Sequence, residues 1–511
     1  MRVLFVMHYP GYLRYYDSVV HELAARGHEV TVAFSKEEKQ EEGLEALPHP
    51  SGRVTKTRRV PRRRDVWRPT ALLLRALADY ARYLHPRYAD AEQLRRRHEK
   101  FLPRGLGFMK RLPSFDARVV RALHRALERL ERAIPSSPEL ESFVAEHEPD
   151  VVVISPLLAD LGHQTDLAKS ARELGIPTVF GVASWDHLTT KGVLKARPDR
   201  TIVWNETQRD EAREFHYLSP DEVTVTGAQP FDRWFGRAPS LDRAAFCGKV
   251  GLPPEHPFVL FLGSTASISV PDAERRFVLG WIEALRSSPD PAVRELSVLI
   301  RPHPYNLGHW ATADLTGHGR VAVWPRYGAN PADDRDRADY FDSMFHSAAT
   351  VGINTSAMIE AAIVGRPVLT VRAPEFVGTQ GGTVHFNYLL PEHGGFVRVA
   401  TTIEEHLAQL GEVLADPDAA GEELSRFVAS FVRPQGVERP STPIVADAIE
   451  AAARETPEPP PEAWAPLRWA LQGLSLVLAL TGESEGRRRL ARRELARLAR
   501  TAWPRGESAR A

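Results

Sequence analysis

A single cysteine, Cys247, in 511 residues leaves no intrachain disulfide and no cysteine-built metal cluster to consider. Long apolar runs are missing as well. None reaches the ~20 residues that span a bilayer. The run over residues 3–7 is broken at once by His8-Tyr9-Pro10-Gly11, too soon for a secretion signal. There is no net charge of either sign, with 66 Lys and Arg against 66 Asp and Glu. The molecule as a whole is therefore no polyanion binder, and no nucleic-acid partner is expected. The fingerprint GxGxxG is absent, which removes the usual dinucleotide-binding turn. What remains is an ordinary globular composition, 43% apolar, and an expected cytoplasmic location.

At roughly 150 residues per domain, the length predicts two or three domains. Two series of alternating strands and helices stand out. In the first, apolar runs at 2–7, 29–34, 150–155, 178–182, 201–204 and 223–226 alternate with helical patterns. The second has runs at 258–262, 296–300, 321–324, 350–351 and 368–371, with helices expected at 273–286, 340–347, 404–415 and 421–431. Such alternation predicts an α/β protein with two doubly wound, Rossmann-like parallel sheets. Residues 1–236 form the first domain, 237–443 the second, and 444–455 a helix that crosses back. Residues 53–134 interrupt the first series with helical, basic sequence. It carries 23 Lys and Arg against 8 Asp and Glu over 53–132, interleaved with Trp67, Tyr80, Tyr83, Tyr88, Phe101 and Phe108. Such an insert is either a set of solvated helix faces on a sheet edge or a surface for an anionic lipid or acceptor.

The stretch 351–371, VGINTSAMIEAAIVGRPVLTV, organises the second series. It reads as strand end, loop, helix over 357–364, Gly365 turn and buried strand. Asn354, Thr355 and Ser356 are helix-capping residues whose loop offers free amides to a phosphate. Glu360 lies one turn beyond Ser356 on the same face, where a carboxylate accepts bonds from ribose hydroxyls. The bland reading is a capped helix with Glu360 solvated. Two further loops follow strands: Gly263-Ser264-Thr265 and Arg301-Pro302-His303-Pro304. Ligands in doubly wound folds bind at the carboxyl ends of the strands, so the three loops converge as a site for a nucleotide diphosphate. The alternative for His303 is a core histidine packed between prolines.

At these residues the chain resembles the GT-B superfamily of nucleotide-sugar transferases, in particular the branch of CDP-glycerol glycerophosphotransferases and related surface-carbohydrate glycosyltransferases. The pieces that carry the resemblance are RPHP at 301–304, INTSAMIEAAIVGRPV at 353–368, TGAQPFD at 226–232 and SWDHLTTKG at 184–192. It spans residues 1–450 outside the insert. The resemblance implies a nucleotide-activated donor in the second domain, held by Gly263, Ser264, Thr265, Arg301, His303, Asn354, Thr355, Ser356 and Glu360. It implies a glycan or lipid-linked acceptor in the first. The loop 184–192 then supplies the catalytic base. Related glycerophosphotransferases have Trp-His-Gly there, whereas this chain has Trp185-Asp186-His187, so either Asp186 or His187 takes the proton.

Asp334-Arg335-Asp336 spells the DxD of metal-dependent transferases but sits in a charged segment rather than after an apolar strand. It is expected to be a solvated loop, with no metal and no other cofactor. Two other readings fit the same scaffold: a non-hydrolysing UDP-sugar 2-epimerase and a non-catalytic nucleotide-sugar-binding protein. Beyond the Pro-rich segment 456–461, the tail to residue 511 is apolar over 474–480, then has nine Lys and Arg from Arg487 to Arg510 against Glu494 and Glu507. With Trp464, Trp469 and Trp503 it predicts peripheral attachment to an anionic membrane surface; the alternative is that 474–480 packs on the protein and the arginines are solvated.

Overall fold

Short runs of Val, Ile, Leu and Phe become strands covered on both faces, the pattern that parallel sheets require. The computed structural model describes residues 1–36, 44, 47–158, 162–326, 331, 333–459, 464–481 and 484–502. The N-terminal sheet comprises β1 (Arg2–Met7), β2 (Glu29–Phe34), β3 (Val54–Lys56), β4 (Val151–Ser155), β5 (Thr178–Gly181), β6 (Arg200–Val203) and β7 (Val223–Val225), in the order β3-β2-β1-β4-β5-β6-β7. The C-terminal sheet comprises β8 (Phe258–Leu262), β9 (Ser297–Arg301), β10 (Val321–Val323), β11 (Ala349–Gly352), β12 (Val368–Val371) and β13 (Arg398–Ala400), in the order β10-β9-β8-β11-β12-β13. All pairings are parallel; Val3, for example, lies between Val30 and Val151. Each sheet reverses its strand order beside its first strand, at β1/β4 and β8/β11, which opens a crevice at the carboxyl ends. The two crevices face each other across one cleft. This is the GT-B arrangement.

The chain returns to its first domain through the helix Ser441–Ala453, which buries Val445, Ala446, Ile449 and Ala452 among Val19, Val20 and Val151. Asp232, the last residue of TGAQPFD, fixes where that helix begins. It accepts from the amides of Ser441 (3.0 Å) and Thr442 (2.7 Å), the Thr442 hydroxyl (2.7 Å) and Arg433 (2.8 Å). That motif thus ties the start of the return helix to the end of the first domain.

Three local outcomes differ from the sequence reading. Residues 54–56 are an edge strand paired with β2, so the helical insert begins after them. Its helices are Arg68–Arg82, Glu92–Glu99 and Ala117–Ala133. Some of its cations are internal: buried Arg75 donates to Glu131 (2.8 Å) and Asp166 (2.7 Å), and Arg63 joins Asp166 at 2.8 Å. Second, Asp334-Arg335-Asp336 is not a loop. It opens the helix Asp334–Phe345, whose cap is the Asp333 side chain accepting the Asp336 amide at 2.7 Å. Acidic residues at a cap and first turn favour this start. Third, the tail helix Ala465–Thr481 lays Leu471, Leu476 and Ala479 on Trp67, Ala71 and Leu74 of the insert. A Thr70–Ser475 hydroxyl pair at 2.6 Å is buried in that contact. Among the described residues, no helix is long and apolar enough to cross a membrane. Trp503, Arg505, Glu507 and Arg510 lie outside the described residues.

Candidate functional site

The C-terminal wall of the cleft is built from Gly263 after β8, residues 301–304 at the end of β9, and Thr355, Ser356, Ala357 and Glu360 after β11. The opposite wall has Arg14 and Tyr15 after β1, Ser184 after β5 and Trp204 after β6. The interdomain segment contributes Arg233, Trp234 and Arg237 to the rim, and the Asp334–Phe345 helix contributes Arg337 and Tyr340. Gly263 is required by close approach: a Cβ there would stand 2.7 Å from the His303 amide nitrogen. Its own amide donates to the Arg301 carbonyl at 2.9 Å, which holds the two loops together.

His303 has a fixed tautomer. The Tyr305 amide donates to its Nδ1 at 3.1 Å, so in the neutral ring the proton sits on Nε2. Burial, with Arg14 opposite, pushes its pKa down to about 4. At neutral pH it is therefore an uncharged donor. Arg301 is buried with its guanidinium 4.5 Å over the Tyr340 ring, donating to Ser343 Oγ at 3.3 Å. Tyr340 in turn donates its hydroxyl to Glu360. Burial raises the Glu360 carboxyl to about 7, against the opposing pull of the Tyr340 bond and of Arg14, Arg233 and Arg301.

The cleft is strongly cationic. Arg233 and Arg337 share Asp17 at 2.6 and 3.5 Å, and Arg337 also reaches the exposed Asp334 at 3.5 Å. Arg14, Arg237 and Arg301 pair with no carboxylate among the described residues. Glu360 is the one acid on the lining among the described residues. The helix Ala357–Ile363 has only seven residues, so guanidinium groups, more than its dipole, set the field.

Of the donor-side residues read from the sequence, Gly263, Arg301, His303, Thr355, Ser356 and Glu360 line the cleft together. Three others do not. Ser264 is buried, its amide donating to Glu274 (3.0 Å) and its hydroxyl to the Asn354 carbonyl (3.2 Å). Asn354 donates to the Thr379 carbonyl at 2.6 Å. The Thr265 hydroxyl is paired with Ser267 at 2.8 Å. These side chains shape the loops behind the wall.

Asp186 and His187 stand one step behind the cleft. Asp186 accepts from Ser184 Oγ at 2.6 Å and Thr190 Oγ1 at 2.8 Å. Burial pushes its carboxyl up, but His187, Lys191, His385 and the Ser184 bond hold it well below the usual carboxylate range. His187 is buried and stacked on Tyr12, with ring centroids 6.1 Å apart, and its Nδ1 has no hydrogen-bond partner. Burial lowers its pKa to about 3. Ser184 is the member of this group that reaches the cleft. The sequence reading missed Ser184, Arg14, Arg233, Arg237, Arg337 and Tyr340. Arg14 lies one residue into a helix with no fingerprint around it, Ser184 opens the SWDHLTTKG loop but is passed over there for Asp186 and His187, and the four others come from segments that only tertiary folding brings to the cleft.

No protein-family model matches the chain, and no curated protein matches it. Solved structures do align. A UDP-GlcNAc 2-epimerase from Methanocaldococcus jannaschii is 12% identical over 88% of this chain and 100% of its own, with a TM-score of 0.47. A glycosyltransferase from Rickettsia africae is 9% identical over 89% and 99%, at 0.49. Anabaena HepE, solved in complex with UDP, is 11% identical over 88% and 100%, at 0.48.

Proposed function

We propose that this chain is a glycosyltransferase that moves a sugar or polyol phosphate from a nucleotide-activated donor to a hydroxyl of a glycan or lipid-linked acceptor. The observation that carries the reading is the charge of the cleft: five guanidinium groups, two of them sharing Asp17, and a neutral imidazole donor stand around Glu360, the one acid among the described lining residues. A diphosphate satisfies that field. The Nε2–H of His303 and the amides of Thr355 and Ser356 offer its oxygens donors, and Arg14 faces them from the other domain. Glu360, beside Tyr340, serves the ribose hydroxyls. A neutral donor at His303 suits a leaving diphosphate, whose growing charge it stabilises without giving up its own proton.

On the acceptor side, the Ser184 hydroxyl already points its proton at Asp186. An acceptor hydroxyl bound at Ser184 passes its proton along that bond, and Asp186 is the terminal acceptor. A 2-epimerase would act on the donor alone, and a binding protein would turn over nothing, so one set of incubations separates the three. Thermal shifts with UDP-, GDP-, CDP- and dTDP-sugars come first. A ligand at 100 times its Kd stabilises the protein by about 2.7 kcal/mol. One nucleotide class is expected to bind, without isomerising when no acceptor is added. Failure of all four classes to bind removes the reading.

A further inference from the structure

The helix Ala117–Ala133 has three sides. Val120, His124, Leu127 and Glu131 face the protein and are buried. Val119, Ala122, Leu123 and Ala126 recur at the same three- and four-residue spacing on another side and are exposed, Val119 by 52% and Leu123 by 37%. Beside that apolar stripe runs a row of exposed arginines, Arg118, Arg121, Arg125 and Arg129. None of the four pairs with a carboxylate among the described residues; Arg121 lies over the Tyr217 ring. The connection leading into this helix adds Phe101, with Lys100 over its ring, and Phe108, 63% exposed and followed by Lys110 and Arg111. A water-facing surface has no use for two exposed phenylalanines and an apolar stripe, and an internal one has no use for four guanidiniums without a carboxylate.

We propose that this face of the insert is the surface on which the protein lies against an anionic lipid bilayer. The apolar stripe and the phenylalanines enter the headgroup region while the arginine row meets lipid phosphates, the division of labour of an interfacial helix. Charge selects this occupant. A second copy of the chain would set four guanidiniums against four, whereas an anionic leaflet supplies the missing counter-charge. The tail helix spends Leu471, Leu476 and Ala479 on the insert, while Trp464, Trp469, Leu474 and Val477 stay exposed.

Co-sedimentation of the full chain with phosphatidylcholine vesicles, with and without about 30% phosphatidylglycerol, tests this. Binding is expected with the anionic vesicles only and is expected to weaken as salt rises. The variants Val119→Ser/Leu123→Ser and Arg118→Gln/Arg121→Gln/Arg125→Gln/Arg129→Gln, each checked for an unchanged melting midpoint, are each expected to lose about tenfold or more in partitioning. Absence of wild-type binding at low salt overturns the proposal, as does equal binding by both variants. It is also overturned if only Trp464→Ser/Trp469→Ser loses binding, which assigns the surface to the tail. A dimer in solution that Val119→Ser/Leu123→Ser dissolves assigns the face to a second copy instead.

Discussion

Glu360 combines three properties that decide what its replacement does: it lines the cleft, it accepts from Tyr340, and burial holds it near neutrality. Glu360→Ala removes a carboxyl acceptor for ribose and is expected to weaken nucleotide binding by about 1.5–3 kcal/mol, the scale of a hydrogen bond to a charged group. Titration calorimetry with the best nucleotide from the thermal screen measures it, and undiminished affinity in a folded variant takes Glu360 off the ribose. Asp186 calls for a kinetic experiment, because it reaches the cleft through Ser184. Asp186→Asn is expected to lower turnover by about 10²- to 10⁴-fold while leaving donor affinity alone. His187→Ala tests the neighbour, which is neutral, buried and behind the wall. Full turnover in both single variants removes this loop as the source of the base.

At the scale of elements, the insert is held to the first domain by charge rather than by apolar area alone. Arg63, Arg75, Asp166, Glu131 and Lys169 form one buried network, with Lys169 donating to Glu131 at 3.2 Å. The Glu131 and Asp166 carboxyls stay below their ordinary values. Burial pushes each up, and Arg75 with its neighbours more than offsets that. Arg75→Ala leaves two buried carboxylates short of a partner, which is expected to cost about 3–5 kcal/mol. Denaturant unfolding measures the loss. A change under about 1 kcal/mol would mean that water and the remaining cations replace the guanidinium. The same element bridges the domains, because Tyr83, Tyr88 and Leu94 share a cluster with Phe215 and Val384.

At the scale of the molecule, burial of titratable groups sets the pH of greatest stability. His98, His124, His303, His385 and His406 are pushed down to about 4 and His187 to about 3, in each case chiefly by burial. The fold keeps them neutral while the unfolded chain binds protons below about 6.5. Stability is therefore lost as the pH falls from 6.5 towards 4, by up to about 1.4 kcal/mol per pH unit for each group. Glu211 and Glu360 have the opposite sign. Burial raises them to about 8 and 7, so their contribution is present below about 4.5 and is lost as the pH rises through those values. These six histidines outweigh two carboxyls, and the urea midpoint is expected to climb from about pH 5 to a maximum near pH 6.5 and then decline gently. A flat profile below 6.5 contradicts the assignment of these histidines as neutral.

The sequence by itself determined what depends on neighbours along the chain. The strand β11, the helix Ala357–Ile363 and the strand β12 lie within a residue or two of their expected places, because the apolar runs, the capping residues and Gly365, at φ +78°, act locally. The parallel α/β class followed from the alternation of such units, and the return helix from its apolar spacing. Strand β13, only three residues of RVA, carried too little pattern to be read. Tertiary structure alone decided which polar side chains of the converging loops face the cleft. Ser264, Asn354 and Ser356 look alike as sequence, yet Ser264 and Asn354 are spent on buried carboxylate and carbonyl partners ten or more residues away, and Ser356 is not. The same holds for charge. The composition of the insert counted Arg63, Arg75 and Arg118 alike, but a guanidinium becomes internal only where distant carboxylates meet it, and residues 131 and 166 are brought to Arg75 by packing that no local pattern encodes.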